Sequence, residues 1–599
     1  MSGAAMDVDS EGQLTLSALL HPKEWKLPGW NDSNFPPQAK HSNETLAQLD
    51  HSLALLSRYR NSLRPHNRLT PDILVIIFQV LADEHSWPTD SGFGAYPWKG
   101  IAQVCHFWRE VALSSAILWT QLSTRHSTAA LACVERSGEA PLSLVIHENS
   151  SNEKVSSVLK AVAPHINRLQ RFFLPINWLK ATDGNIHHLL QPILSSPAPM
   201  LETLVTPKIR DDSPWIPLPT LFTGHTPNLT HLDICFLRPE LRSLSFGRLK
   251  TLSFRGRKRA PITMSVSALL DLLEASPNLE VLKTVKVTFS PADEDDTRKV
   301  TLDCLKLLEI GREKASVVAE ILNRIIFPNS TSFHLNVWLD RYEDNKFYIG
   351  VPSMELLNLD HTLRDIKKMQ INYLNGYEAV EILAVTSNTS FSINGHLEST
   401  TVTNLGDMDA IAGTVFKSLM RSFDFEHLEE FGITEYRNNA RWTGFTTQIW
   451  TQTFRSMPNL KALYVCLDGC YDEGFSRAIL SALSSRDEKN GRLLCPSLES
   501  LSVSGDKTWS SLQCYNMAEQ RSNGGYPLKR VSMRLSHYAS FSDPSDTDLP
   551  LLRRYVETVD LEAREMSLPE FPEIVIIIQF CSNSPPPLLV LFTKLYYIL

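Results

Sequence analysis

Residues Met457 to Asp468, MPNLKALYVCLD, place leucine at 460 and 463 and valine at 465 behind a proline at 458. Leu463 and Val465 alternate with Tyr464, so they share one face of a strand, and Leu460 sits in the turn that leads into it. A strand of this kind buries a stripe and cannot stabilise itself, so neighbours must stack beside it. The same apolar-x-x-apolar-x-apolar phrase recurs along the chain. Its copies are Leu229, Leu232, Ile234; Leu249, Leu252, Phe254; Leu305, Leu308, Ile310; Met354, Leu357, Leu359; Leu428, Phe431, Ile433; Leu498, Leu501, Val503; and Leu528, Val531, Met533. Weaker copies start at Leu201 and Leu279, and two related phrases, NSTSFHL from Asn329 and NTSFSI from Asn388, fall in the gaps. The spacing then runs from about twenty to forty residues, the range of stacked repeats.

Helical segments lie between copies, among them Val266 to Ala275, Val317 to Ile326 and Gly474 to Leu483. Proline stands where such a helix must stop, in Thr226-Pro227-Asn228, Ser276-Pro277-Asn278, Met457-Pro458-Asn459 and Cys495-Pro496-Ser497. The pattern predicts parallel strands with return helices covering one side, curved into a solenoid. An ordinary α/β domain with parallel strands is the plainer alternative.

Upstream of the repeats, Asn67 to Thr124 carries a different pattern. Thr70 stands at an N-cap position, Pro71 fixes the first turn and Asp72 sets negative charge against the helix dipole. Ile73, Leu74, Ile77, Phe78 and Leu81 recur at helical spacing, while Ile76 and Val80 make a second face apolar. Glu84 to Pro97 is a loop by its prolines and glycines, after which Ile101, Val104, Cys105 and Trp108 restore the helical period; Ser114 or Ser115 then caps a short helix with Ile117, Leu118 and Trp119. So short a segment rarely forms a robust core by itself, so a helix apolar on two faces predicts that one face serves another protein.

The succession Leu69, Pro71, Ile73, Leu74, Ile77, Phe78, Val104, Cys105, Trp108, Leu118 and Trp119 resembles an F-box. Thr70 replaces a common proline and Asp72 a usual glutamate; both keep helix-start chemistry. With VERSGEAPLSLVI from Val134 and PHINRL from Pro164, the likeness is to F-box proteins abundant in mushroom-forming (basidiomycete) fungi, from about Thr45 to about Leu174. The later phrases resemble the irregular leucine-rich repeats that often follow an F-box, without the regular asparagine or cysteine after the strand. The resemblance implies an α/β chain with an N-terminal all-α F-box helical module followed by an irregular leucine-rich-repeat α/β solenoid. It assigns Leu69, Pro71, Ile73, Leu74, Ile77, Phe78, Val104, Cys105 and Trp108 to adaptor binding or module packing together, with Trp108 expected innermost.

The expected divisions are a disordered tail over 1–40, an amphipathic helix over 41–64, the F-box-like module over 65–124, a repeat domain over 125–570 and an apolar tail over 571–599. In the second, Leu46, Leu49, Leu53, Leu56 and Leu63 keep a three-four spacing that Arg60 interrupts. That stripe suits packing on the module, with a brief coiled coil as the alternative. The final segment, IVIIIQF and LLVLF around three prolines, is too interrupted for a spanning helix; aggregation-prone strands, a terminal repeat or a gene model reading through an intron are the readings left, the last preferred.

With 599 residues, 43% hydrophobic and 21% charged, the chain can bury a large core. A formal charge of -8 disfavours nucleic acid and anionic membrane, and protein partners fit better. The start, MSGAAMDVDSEGQL, lacks a secretory signal, which places the chain inside the cell, cytoplasmic or nuclear, with its six Asn-x-Ser/Thr sites unmodified and its nine scattered cysteines reduced.

No catalytic signature is present. Gly505-Asp506-Lys507-Thr508 lacks the glycine-bearing turn of a phosphate loop, and Asp293 to Asp296 lacks the glycine and distant glutamate of a calcium loop. A helix would aim the adjacent His187 and His188 about 100° apart, poorly placed for one metal. Cys466 follows a strand position and is expected buried, although Cys470 could share a helix face with it. Arg255, Arg257, Lys258 and Arg259 form the one tight cationic cluster, read as a solvated loop. No catalytic residue, metal or cofactor is therefore expected. The resemblance implies a substrate-recognition subunit of an SCF-type (Skp1-cullin-F-box) ubiquitin ligase, bound to a Skp1-like adaptor and through it a cullin-RING ligase. A scaffold or sequestering protein outside a ligase is the alternative; an enzyme with a novel site on the repeat face would need converging polar groups in a deep pocket.

Overall fold

The structure is a computed structural model that describes residues 43–84 and most of 98–562. Left undescribed within the second span are 148–149, 175–185, 207–215, 218–220, 235–236, 239–245, 257–261, 293–294, 342–346, 349–364, 375–378, 398–415, 417–419, 421–422, 437–444, 469–472, 489–490, 506–508, 510 and 535–547. The expectations for 1–40, 571–599, the phrase copy at Met354, residues 257–259 of the cationic cluster and Cys470 fall outside the described residues. The chain divides into two compact units, one of residues 1–81 and 97–114, the other of 82–96 and 115–599.

The first unit is helical. It holds α1 (Asn43–Ser62), α2 (Pro71–Glu84, whose last turn passes into the second unit's span), α3 (Trp98–Val104) and α4 (His106–Ser114). Residues 47–60 of α1 are all exposed, so the leucine stripe does not pack on the module as expected. The period restored by Ile101, Val104, Cys105 and Trp108 is split into two helices at Cys105.

The second unit is mixed α/β around one large, mainly parallel sheet. Among the described residues eighteen strands join it. They begin with β1 (Gln121–Ser123), β2 (Leu142–Val145), β3 (Leu169–Phe173), β4 (Thr203–Val205), β5 (His231–Ile234), β6 (Thr251–Arg255), β7 (Val281–Val285), β8 (Leu307–Lys314) and β9 (Ser332–Arg341). Then follow β10 (Phe347–Tyr348), β11 (Ile366–Leu374), β12 (Ala379–Thr386), β13 (Ser390–Leu397), β14 (Glu430–Tyr436), β15 (Ala462–Asp468), β16 (Ser500–Gly505), β17 (Leu528–Arg534) and β18 (Val556–Glu562). The last two apolar residues of every described full copy of the phrase lie on one of these strands. Their apolar pairs stay in register: Leu232 opposite Leu252, Leu252 opposite Leu282, Leu463 opposite Leu501 and Leu501 opposite Val531. These side chains are buried, as is each leading leucine from 229 to 528 in the described copies.

Parallel order in sequence, the simple expectation for stacked repeats, fails at one place. From β9 the sheet continues to β13, back through β12 to β11, and on to β14. β12 is antiparallel to both neighbours because β11, β12 and β13 form a meander; its β12–β13 turn is closed by the Thr386 amide donating to the Thr389 carbonyl at 2.8 Å. The short β10 also pairs antiparallel, with β9.

Two devices join neighbouring phrases. The amide of each second residue donates at 2.8 Å to its counterpart's carbonyl one strand back, from Glu280 to Lys250, Lys306 to Glu280, Lys461 to Glu429, Glu499 to Lys461 and Lys529 to Glu499. Their side chains alternate in sign and pair across the same steps: Lys250 with Glu280 at 3.1 Å, and Lys461 with Glu429 and Lys529 with Glu499 at 2.7 Å. The second device is the asparagine after the proline. Asn228 donates to the Pro199 carbonyl at 2.9 Å, Asn278 to Gly247 at 3.0 Å and Asn459 to Glu426 at 2.7 Å, each reaching the preceding turn.

Return helices follow the strands. α5 to α7 are Ser127–Arg136, Asn152–Val162 and Ile186–Leu194. α8 is Val266–Glu274, started by the Ser265 hydroxyl accepting from the Ala268 amide at 3.0 Å, and α9 is Ala315–Arg324. Then come α10 (Thr447–Arg455), α11 (Glu473–Leu483), α12 (Ser511–Asn523) and α13 (Asp548–Leu552). Trp450, fully buried on α10, packs against Phe454 at 5.3 Å and Phe475 at 5.7 Å between ring centroids. Arg521 of α12 is also fully buried; its guanidinium donates to the carbonyls of Leu483 and Leu494 at 3.0 Å and Cys495 at 2.8 Å. This one arginine satisfies the carbonyl left over at the end of α11 and ties it to two in the turn before β16.

Candidate docking surface

The residues singled out in the first unit separate into two sets. Leu74 and Phe78 are 0% exposed and form its innermost packing, and Cys105 is also buried. Trp108, expected innermost, is half-buried and covers Phe78, ring centroids 5.3 Å apart at 55°. The reason lies in the break at Cys105, which restarts the helix and leaves the indole on α4 at the rim of the packing. Leu69 is half-buried at the end of the short turn Pro65–Arg68. Cys105 closes that region: its thiol donates to the Asn67 side-chain oxygen at 3.6 Å and accepts from the Trp108 amide at 3.5 Å. Asn67 in turn donates to the Asn61 carbonyl at 2.7 Å, anchoring the end of α1.

The second set faces water. Ile73, Ile76, Ile77 and Val80 of α2 are exposed, Ile76 at 58% and Val80 at 53%, and Val104 at the end of α3 is 52% exposed. Pro71 opens the helix from the surface, and the Leu74 amide donates to the Thr70 carbonyl at 3.1 Å. At about 100° per residue, Ile73, Ile76, Ile77 and Val80 form one continuous stripe, and Leu74 and Phe78 another roughly a third of a turn away. The expected grouping of Ile73 and Ile77 with Leu74 and Phe78 is thus replaced by a division between an inner and an outer face. Leu118 and Trp119 lie in the other unit, buried, with the Arg136 guanidinium over the Trp119 ring at 4.5 Å.

A polar cluster, not read from the sequence, lies on the opposite sheet face from the phrase leucines. Gln370 donates to the Asn372 side-chain oxygen at 2.7 Å, Asn372 donates to Glu381 at 2.8 Å, and Thr434 also donates to Asn372. Alongside, His334 Nδ1 and Ser392 Oγ are 2.9 Å apart. All six are buried. Burial raises the Glu381 carboxyl above its ordinary range against the opposing Asn372 hydrogen bond, and burial holds His334 down at about 4. The signal was present as polar residues alternating with leucine and isoleucine in adjacent strands, but pairing of β11 with β12 could not be read from either strand alone.

Of the other chemical candidates, Asp293 and Glu294, Asp506 to Thr508 and the side chains of His187 and His188 lie outside the described residues, and the rest resolve into structure. Arg255 pairs with Asp233 at 2.9 Å, and Asp296 is held by Arg298, which lowers its carboxyl to about 2. Cys466 is buried on β15. Among the described residues, no three His, Cys, Asp or Glu side chains gather as a metal site, and no helix is long and apolar enough to cross a membrane. No protein-family model matches the chain, and no curated protein matches it.

Proposed function

We propose that the chain is the substrate-recognition subunit of an SCF-type ubiquitin ligase: the first unit an F-box-like module that docks on a Skp1-like adaptor, the second an irregular leucine-rich-repeat solenoid that captures a target protein. The observation that carries this reading is the outer stripe of Ile73, Ile76, Ile77 and Val80, held in water by a helix whose other stripe is fully packed. Contiguous aliphatic surface of this kind marks a protein interface. The in-register phrases, the asparagine links and the return helices support the repeat reading. The chain on this account catalyses nothing itself, and works inside the cell by tethering, which raises the local concentration of target lysines near a charged enzyme supplied by other subunits.

The ligase reading is tested by isolating the full chain from cells with its bound proteins. A cullin is expected to co-purify, to be lost from an Ile76→Asp, Val80→Asp variant, and a target is expected to accumulate when residues 67–124 are deleted. Adaptor capture without cullin would support instead a scaffold outside a ligase.

A further inference from the structure

The helix α1 spans Asn43–Ser62, about 30 Å at the usual rise, and an isolated helix of this length is marginal in water. Leu49, Leu53, Leu56 and, just past its end, Leu63 keep the three-four spacing of a coiled-coil seam and are all exposed, Leu56 at 67%. Arg60 occupies the remaining seam position between Leu56 and Leu63. Asp50 flanks Leu49, whereas Arg58, Arg60 and Arg64 gather at the other end.

This charge layout selects the occupant. A parallel pair of α1 helices would set Arg60 against Arg60 of the second copy inside the seam, leaving like charges partly desolvated. In an antiparallel pair centred between Leu53 and Leu56, Leu53 of each copy meets Leu56 of the other. Arg60 then meets Leu49, with Asp50 of the second copy beside its guanidinium, and the acidic half of each helix lies along the basic half of its mate. The helix dipoles also oppose. We propose that two copies of this chain associate through an antiparallel pairing of α1, with Asp50 and Arg60 setting the direction. The surface is separate from the α2 stripe, so self-association and adaptor binding stand or fall independently.

Sedimentation equilibrium of the full chain tests the pairing. A reversible dimer is expected, and Leu53→Glu with Leu56→Glu should reduce it to monomer at the same concentrations; circular dichroism checks that these exposed substitutions leave the fold intact. Asp50→Arg and Arg60→Asp should each weaken the dimer about tenfold, and the two together should restore it, since the pair is re-formed with its signs exchanged. A chain that is monomeric throughout, a dimer indifferent to Leu53 and Leu56, or a double reversal as weak as either single one would overturn the proposal.

Discussion

Leu74 and Ile76 are near neighbours on one helix and do opposite jobs, one wholly inside and the other mostly in water. Truncating Leu74 to alanine is expected to cost about 2–5 kcal/mol of stability by removing packed methylenes, whereas Ile76→Ala should change thermal stability little. Differential scanning of both variants checks the division, and equal losses would contradict it. Arg521 makes a second residue-scale case. Arg521→Leu strands the buried carbonyls of Leu483 and Leu494 at about 1–3 kcal/mol each, while that of Cys495 keeps the Leu498 amide, so a marked fall in melting temperature is expected. Helical period exposed the two apolar faces of α2 in the sequence. It did not say which face points inward, because that depends on where α3 and α4 pack, and the break at Cys105 moved Trp108 to the rim.

At the scale of elements, the phrase leucines were readable because each strand alternates one buried side against one polar side. Three return helices, α8, α9 and α11, were readable to within a few residues, and the others were not named from the sequence. The meander of β11, β12 and β13 was not, since strand direction rests on long-range pairing. Its consequence is the buried polar cluster. Burial lifts the Glu381 pKa above the ordinary 4.5, so the folded chain takes up this proton before the unfolded chain as pH falls. The buried carboxylate therefore opposes folding at neutral pH, and the opposition fades as acid protonates it. Glu381→Gln keeps an acceptor for Asn372 and removes the charge. A higher melting temperature than the unaltered chain is expected near pH 8, with the gap closing toward pH 4.5. A gap that widens in acid would contradict this assignment. The asparagine links are a quieter element-scale feature: the Pro-Asn pairs were visible as helix stops, but their reach to the preceding turn needed the stacked geometry.

For the molecule as a whole, the sequence reading sets a helical front to residue 124 before a long repetitive remainder, whereas the structure divides at 114 into a helical unit and a mixed α/β unit with a mainly parallel sheet. The α1 stripe was legible as an apolar seam, while the exposure of Leu49, Leu53, Leu56 and Leu63 was not, because the same spacing serves packing on a module and pairing with another helix. The central claim is that the first unit presents its outer stripe to a Skp1-like adaptor. Calorimetric titration of such an adaptor into the purified full chain measures it directly. Saturable one-to-one binding is predicted, weakened by more than about 1 kcal/mol in Ile76→Ala and abolished in Ile76→Asp, Val80→Asp while the melting temperature stays unchanged. Binding that is undiminished in the folded double variant, or no binding by the unaltered chain, would contradict the account.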